Sequence, residues 1–364
     1  MTSRPIQVPA ANQTKVTVSQ LFRQAKADLW AKEVQTGYTV TYAWMANQLG
    51  HFTLGFAPVI LILAVLGTWT APVSCLIVSI LIFGWISWKE YGDFKAAKSD
   101  AQRSGLFPFN AKDVRDDAFT AVYFVSAGLA VGGTAAVSHD WKPVAMFLLW
   151  LAPGFPIARH WLSRKLCFQR ANLPLMYRLA NYPRKIVSPD PQEAADAIAD
   201  FVSLRGPWRH LLIAGPPQTG KSTLGSAIGT EHAFGLGKAR YFTVFDFLET
   251  ADFPDEPPFD SARQQWPWRE SDIVILDNIE FRGKNEDAMG GALPVTRAVG
   301  SLRDGKLLAA KRTVWLLGNP AATQDWIHAL AGLLNCTAQE IGVIQLSPAP
   351  LVIKPASMAA KGIA

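Results

Sequence analysis

Four long apolar runs in the first half of the chain limit its fold most, because one ordinary domain cannot bury them all. Nearly free of charge, they occupy residues 52–67, 71–88, 118–137 and 143–158. A helix needs about 20 apolar residues to cross a bilayer core. Extending the first run back to Trp44 and the fourth on to Trp161 meets that length. Four buried core helices are the alternative, but the runs form two pairs with tight turns. We therefore predict an α-helical membrane anchor of four transmembrane helices within residues 46–161.

The positions of Lys and Arg predict which side of the membrane each flank occupies. Basic clusters precede the first run, separate the second from the third and follow the fourth, whereas the two remaining turns carry only Lys142. Cytoplasmic flanks of membrane helices are enriched in Lys and Arg. We expect an integral, multi-pass protein of a bacterial inner membrane, with both termini in the cytoplasm and the lipid bilayer as a partner.

Two further patterns concern how the anchor makes contacts. Residues 1–45 are predicted to be a cytoplasmic amphipathic segment, and within 18–35 one apolar helical face has basic residues nearby, as in helices that lie on a bilayer surface. Gly128 and Gly132 have the spacing that lets helices approach closely. This spacing fits either packing within a hairpin or self-association into a homo-oligomer.

The charge is divided unequally between the halves of the chain. Residues 1–185 contain 19 Lys and Arg against 9 acidic residues, whereas residues 186–364 contain 16 against 20. The net negative charge of residues 186–364 does not neutralise a phosphate backbone, so we do not expect this half to bind nucleic acid. The basic segment 162–189 is predicted to be a linker, and residues 351–364 a disordered tail.

The stretch GPPQTGKSTL begins at Gly215, directly after the strand pattern HLLIA and directly before a helical pattern. This context predicts a phosphate-binding loop at the start of a helix. The predicted cofactors are ATP and Mg²⁺, with Lys221 on the β- and γ-phosphates and Ser222 on the metal. The predicted cofactor-binding residues are Gly215, Pro216, Pro217, Gln218, Thr219, Gly220, Lys221, Ser222 and Thr223.

Two later apolar strands each end at a polar residue. IVIL precedes Asp277, and VWLLG precedes Asn319. Strands alternating with helices predict an α/β P-loop NTPase domain over residues 190–350, with a parallel sheet in three layers and ligands at the carboxyl ends of the strands. Asp277 is then the second metal residue, and Asn319 is placed to touch the γ-phosphate or the attacking water.

The succession GPPQTGKS, FTVFDFL, IVILDNIE and VWLLGN followed by DW resembles the AAA+ ATPases, and among them the DnaC/IstB-like helicase loaders and transposon helpers. The resemblance covers about residues 205–347. It implies that Lys221 and Ser222 bind phosphate and magnesium, that Asp277 is the second-strand acid, and that Asn319 occupies the sensor-one position.

Two departures from that family lie close to the nucleotide. Gln218 replaces the usual loop glycine, which is tolerable if its φ is negative. Asn278 stands where a water-activating Glu commonly follows the strand acid, so the nearest catalytic candidate is Glu280. Slow or absent hydrolysis is the alternative that Asn278 leaves open.

A third departure concerns the arginine finger, which stabilises charge on the transferred phosphate. No Lys or Arg occurs between Thr313 and Ile353, where this residue normally lies. The remaining candidates for the arginine finger are Arg297, Arg303, Arg312 or a residue from a partner.

These features favour a membrane-anchored ATPase that acts on a membrane-associated or membrane-proximal protein. The alternatives are a nucleotide-dependent switch with little hydrolysis and a membrane-tethered DNA-handling helper. The loop 252–270 is predicted to expose Trp266 and Trp268, either packed on its own domain or docking a partner.

Overall fold

The computed structural model describes residues 6–30, 40–66, 72–104, 106–107, 110–138, 140–182, 186–187, 190–252, 265–280 and 291–347. The predicted tail 351–364 lies outside these residues. In the first half the chain is helical, and its helices are α1 Val18–Trp30, α2 Val40–Leu66, α3 Pro72–Ser104, α4 Ala111–Val137 and α5 Lys142–Arg170.

Three helices of the described chain are long and apolar enough to cross a membrane, over Ala43–Leu66, Val73–Ser99 and Ala111–Val137. The predicted count of four is therefore met only in part. The run 143–158 forms the first half of the 29-residue helix α5, which is not one of the three. Its apolar stretch is short because Lys142 and Arg159 bound it, and Pro153 and Pro156 lie within it.

Helix α4 packs against α2, α3 and α5. The contact with α2 is close enough for backbone atoms to touch across the interface. A Cβ on Gly128 would lie 2.0 Å from the carbonyl oxygen of Phe52, and one on Gly55 would lie 2.2 Å from that of Val125. The small residues of α4 thus pack against α2 within the chain. This is packing inside the protein, the first of the two explanations that the sequence allows.

The second half of the chain is an α/β domain. Its strands are β1 Ile186–Val187, β2 His210–Ala214, β3 Ala239–Thr243, β4 Ile273–Asp277, β5 Arg312–Leu317 and β6 Ile341–Leu346. Its helices are α6 Pro191–Val202, α7 Lys221–Phe234, α8 Val244–Thr250, α9 Ala292–Ser301 and α10 Thr323–Leu334.

One six-stranded sheet organises this domain, in the order β1-β6-β2-β5-β4-β3. Five strands are parallel, and β1 pairs antiparallel with β6 at one edge. Alternate residues of β2 face opposite cores. Leu211 and Ile213 pack with residues of α6 and α7, whereas Leu212 and Ala214 pack with residues of α8, α9 and α10. Helices thus cover both faces, as a parallel sheet requires.

The N-terminal segment packs on the protein itself. The backbone N–H of Thr14 donates to the carbonyl of Leu236, 2.8 Å away, and Leu21 of α1 joins a buried cluster with Leu166 and Phe234. The prediction that this helix rests on the bilayer is therefore incomplete. Part of its apolar face covers α5 and α7, while Phe22 remains exposed.

Two segments differ in part from what the sequence predicts. The predicted linker begins as helix, because α5 continues to Arg170 and buries Leu166, Cys167 and Phe168 against the α/β domain. Trp266 and Trp268 are buried, not exposed. The Trp268 indole lies among the core residues beneath α8, and its N–H donates to the carbonyl of Ala251.

Candidate nucleotide site

Residues 215–220 connect the end of β2 to the start of α7, at the carboxyl edge of the sheet. Gly220 is the N-cap of α7 with φ +90°, a left-handed conformation that favours glycine. A Cβ on Gly215 would lie 2.8 Å from Thr219 Oγ1 and 2.9 Å from the carbonyl oxygen of Leu346, so only glycine fits there. The first N–H groups of a helix such as α7 lack carbonyl partners within the helix, and this arrangement is suited to binding an anion.

The backbone at Gln218 differs from the expectation. Its φ is +64°, not negative, so this residue takes the left-handed conformation that the usual glycine would adopt without strain. An L-residue there costs roughly 1–2 kcal/mol. The loop keeps its shape because neighbouring contacts hold it, among them the bond from Thr219 Oγ1 to the carbonyl oxygen of Pro216 at 2.8 Å.

Lys221 turns its ammonium group back into the loop. Nζ donates to the carbonyl oxygens of Gly215 at 2.6 Å and Pro216 at 2.7 Å. An ammonium carries three hydrogens, so one donor remains for another acceptor. Burial lowers the pKa of Lys221, and the carboxylates of Asp277 and Glu280 offset this only partly. A nearby phosphate would restore the lost stabilisation of the ammonium.

The predicted metal residues meet at the first turn of α7. Ser222 Oγ donates to Asp277 Oδ2 at 2.6 Å, and the backbone N–H of Asn278 donates to Oδ1 at 2.7 Å. The hydroxyl of Tyr241 in β3 donates to the same carboxylate. Burial and the neighbouring Asp277 raise the pKa of Tyr241, which therefore stays a neutral donor. Sequence reasoning missed Tyr241, whose only signal was its place in the strand beside β4.

Oxygen donors of this kind suit Mg²⁺, because it prefers hard oxygen ligands. Within the described residues no group of three or more His, Cys, Asp and Glu side chains could hold a metal ion. A magnesium ion at Ser222 and Asp277 would complete its shell with phosphate oxygens and water, as it commonly does in nucleotide sites.

The turn after β4 brings Glu280 back to the sheet edge. Asn278 has φ +53°, and Asn tolerates this left-handed conformation better than Glu does. Ile279 is then fully buried, and Glu280 Oε1 accepts a bond from the backbone N–H of Asn319 at 3.0 Å. The carboxylate of Glu280, two residues beyond Asn278, thus lies beside Asn319 at the end of β5.

Asn319 is exposed at the end of β5 and caps the short 3₁₀ turn Pro320–Ala322. Its side-chain oxygen accepts from the backbone N–H of Ala321 at 3.0 Å. The side-chain amide nitrogen of Asn319 can then donate to a phosphate or a water. A Cβ on the preceding Gly318 would lie 2.4 Å from Glu280 Oε2, so glycine makes room for that carboxylate.

The three candidate arginines lie in different places. Arg312 begins β5 at the amino edge of the sheet, a strand length from the loop, and donates to the carbonyl of Trp208 at 2.6 Å. Burial and nearby Arg209 lower its pKa to about 10. Arg312 is therefore a structural residue and not a finger for its own site. Arg297 and Arg303 are exposed, on α9 and just beyond it.

No family model matches the chain. It is 29% identical over 133 residues to vacuolar protein sorting-associated protein 4A from Rattus norvegicus, Mus musculus and Homo sapiens. The match covers 32% of this chain and 29% of each relative, so the chain spans under a third of their length. This distant similarity suggests an AAA ATPase and does not distinguish the DnaC/IstB-like branch.

Proposed function

We propose that this chain is a membrane-anchored AAA+ ATPase that binds MgATP at the loop of residues 215–223 and acts on a membrane-associated protein. The main support is that an ammonium, a hydroxyl and two carboxylates lie together at one edge of the sheet. They belong to Lys221, Ser222, Asp277 and Glu280. Phosphoryl transfer depends mainly on positioning and on electrostatic stabilisation, which these groups supply.

Each residue has a distinct role in this proposal. Lys221 binds the β- and γ-phosphates, and Ser222 with Asp277 holds the magnesium, which would neutralise charge on the phosphates. Glu280 accepts a proton from the attacking water, and Asn319 orients that water or the γ-phosphate. A neighbouring copy could supply Arg297 or Arg303, so the proposal includes a homo-oligomer and a DnaC/IstB-like assembly.

The proposal also places α5 as a fourth membrane helix. Contacts between α4 and α5 run antiparallel along both helices. Arg164 pairs with Asp113, Trp161 Nε1 donates to Thr120 Oγ1, and Gly154 lies against Tyr123.

The apolar half of α5 exposes Phe147, Leu148, Leu149 and Phe155, as a lipid-facing helix would. A fourth span returns the chain to the side on which it started, so that both termini and the α/β domain are cytoplasmic in a bacterial inner membrane.

Removal of the loop ammonium tests nucleotide binding. Lys221→Ala removes one charge-assisted contact, so the Kd for MgATP should rise about 10- to 100-fold in the full-length detergent-purified protein. Lys306→Ala, which removes an exposed Lys remote from the loop, should bind like the parent. Equal affinity of Lys221→Ala and the parent would contradict the proposed site.

A nucleotide-dependent switch with little turnover is the second candidate, favoured by Asn278 in the position of the usual water-activating Glu. Glu280→Gln separates the two. An ATPase should lose about 10²–10⁴-fold in turnover while still binding MgATP, because a general base has been removed. A parent that binds MgATP without turnover would favour the switch, whereas unchanged turnover in the variant would exclude Glu280 as the general base.

A further inference from the structure

Arg178 joins the cytoplasmic end of a candidate membrane helix to the helix that follows the nucleotide loop. Its Nε donates to Glu231 Oε1 at 2.6 Å, and one terminal nitrogen donates to Glu231 Oε2 and to Asp113 Oδ2, both at 2.9 Å. Asp113 stands in the first turn of α4, and Glu231 in the last turn of α7. One guanidinium therefore bridges two carboxylates from two parts of the molecule.

Further bonds fix both ends of this bridge. Glu231 Oε1 also accepts from the backbone N–H of Leu179 at 3.1 Å, and Arg164 of α5 donates to Asp113 Oδ1 at 2.9 Å. The side chains of Glu231 and Asp113 are only 6% and 12% exposed. Ion pairs this well shielded from water are weakly screened by salt and hold their geometry.

Both bridged elements are continuous helices. Glu231 lies nine residues beyond Ser222 in α7, about 14 Å along the axis at 1.5 Å per residue. A shift of the loop end of α7 therefore moves Glu231 with it. Helix α4 runs without interruption from Ala111 to Val137, so a shift at Asp113 is passed along a candidate span.

A second contact connects the same regions. Leu106 and Phe107 lie between α3 and α4, yet they are buried in the core of the α/β domain. The ring of Phe107 meets that of Tyr182 edge to face, with centroids 6.3 Å apart. The hydroxyl of Tyr182 would lie 3.5 Å from a Cβ on Gly220, the N-cap of α7. The connection between two candidate spans thus contacts Tyr182, which lies beside the start of α7.

We propose that Arg178 is a positioning residue that couples nucleotide binding at the loop to the arrangement of membrane helix α4. This inference rests on the proposed function, since the nucleotide is the ligand that would move α7. Coupling between two sites is reciprocal, so a change at α4 also alters the affinity of the loop for nucleotide.

Hydrogen exchange in the full-length protein, measured by mass spectrometry with and without MgATP, tests the coupling. We expect MgATP to change exchange in a peptide covering residues 111–120 by about fivefold or more, the lower end of typical coupling. Asp113→Asn should abolish that change, because it cuts the bridge on the α4 side. The same variant should still bind MgATP, with an affinity shifted by no more than the coupling factor, so a lost response is not caused by lost binding.

Two variants of α4 serve as controls. Asp113→Glu keeps a carboxylate for Arg178 and should retain the exchange response. Asp116→Asn makes the same chemical change three residues away, where Asp116 pairs with the exposed Arg115 side chain, and it should behave like the parent. A general effect of losing a carboxylate from α4 would appear in both Asn variants.

The outcomes separate the two proposals. A parent that binds no MgATP would overturn the proposed function and this coupling together. MgATP binding without a response in residues 111–120, or an undiminished response in Asp113→Asn, would overturn the coupling alone. If Asp113→Asn does not fold, Arg178→Lys replaces it, since lysine keeps the charge but loses the fork. An undiminished response in Arg178→Lys would likewise contradict the coupling.

Discussion

At the scale of single residues, backbone conformation explains the most unusual feature of the site. Asn278, which follows Asp277 at the end of β4, has φ +53°, a left-handed conformation that Asn adopts more readily than Glu does. Glu280 follows two positions later. Buried Ile279 fixes the turn, and the backbone N–H of Asn319 donates to Glu280 Oε1. Sequence spacing alone cannot reveal this, because a single positive φ redirects every following side chain.

The space beside Glu280 makes one residue-scale prediction. Gly318→Ala would place a methyl group 2.4 Å from Oε2 of Glu280, so the flexible carboxylate must swing away. Turnover should fall about 10-fold or more, because a misplaced general base loses most of its effect. Affinity for MgATP should remain near that of the parent, and both quantities are measured on the purified protein.

Gly332→Ala is the matched control, since nothing lies within 4 Å of a Cβ at that position of α10. It should leave turnover unchanged and slightly stabilise the helix, because Ala has the higher helix propensity. Unchanged turnover in Gly318→Ala would remove Glu280 from the proposed chemistry.

At the scale of elements, the anchor depends on a close contact between α2 and α4. Gly55 and Gly128 let the two backbones approach, and the stacked rings of Phe52 and Phe56 lie in the same contact. Small residues are favoured in such interfaces because lipid supplies no hydrophobic force between helices. The face around Gly128 is covered by α2 and so does not provide the contact for a homo-oligomer.

This contact makes an element-scale prediction. Gly128→Ala puts a methyl group 2.0 Å from a backbone oxygen, which cannot move without separating the helices. The expected loss is about 1–3 kcal/mol of stability, as for other overpacked sites. It would be seen as a lower midpoint of thermal unfolding in detergent. Gly133→Ala on the same helix meets only Ser79 Oγ at 4.0 Å and should unfold like the parent.

At the scale of the whole molecule, three stretches before the sheet touch the α/β domain. They are α1 with the segment before it, the connection between α3 and α4, and the end of α5. All three must lie on the same side of the membrane as the α/β domain. In the proposed four-span topology, α2 and α3 form one membrane hairpin, and α4 and α5 form another.

Labelling of single cysteines tests this topology, in a Cys336→Ser background because the other two cysteines are buried. In intact bacterial cells, a membrane-impermeant maleimide should modify Asp140→Cys, in the exposed turn before α5, from outside. Glu249→Cys, on the exposed surface of α8, should react only after permeabilisation. Reaction of both positions in intact cells would indicate three spans and an external α/β domain.

Much of the fold follows from local pattern in the sequence. The strands HLLIA, IVILD and TVWLL are runs of buried apolar residues, and the membrane helices are long apolar runs, so hydrophobicity and length alone predict these elements. Lys221, Ser222 and Asp277 could be named for the same reason, because the motif and the strand ends fix their positions along the chain.

Only the tertiary structure decided what depends on contacts between distant residues. Tyr241 bonds to Asp277, Arg178 bridges two carboxylates, and Trp266 and Trp268 are buried. Each of these side chains contacts residues far away in the chain. No local pattern marks such pairs, because each side chain is ordinary within its own segment. These contacts form only when the sheet assembles and the membrane helices dock against it.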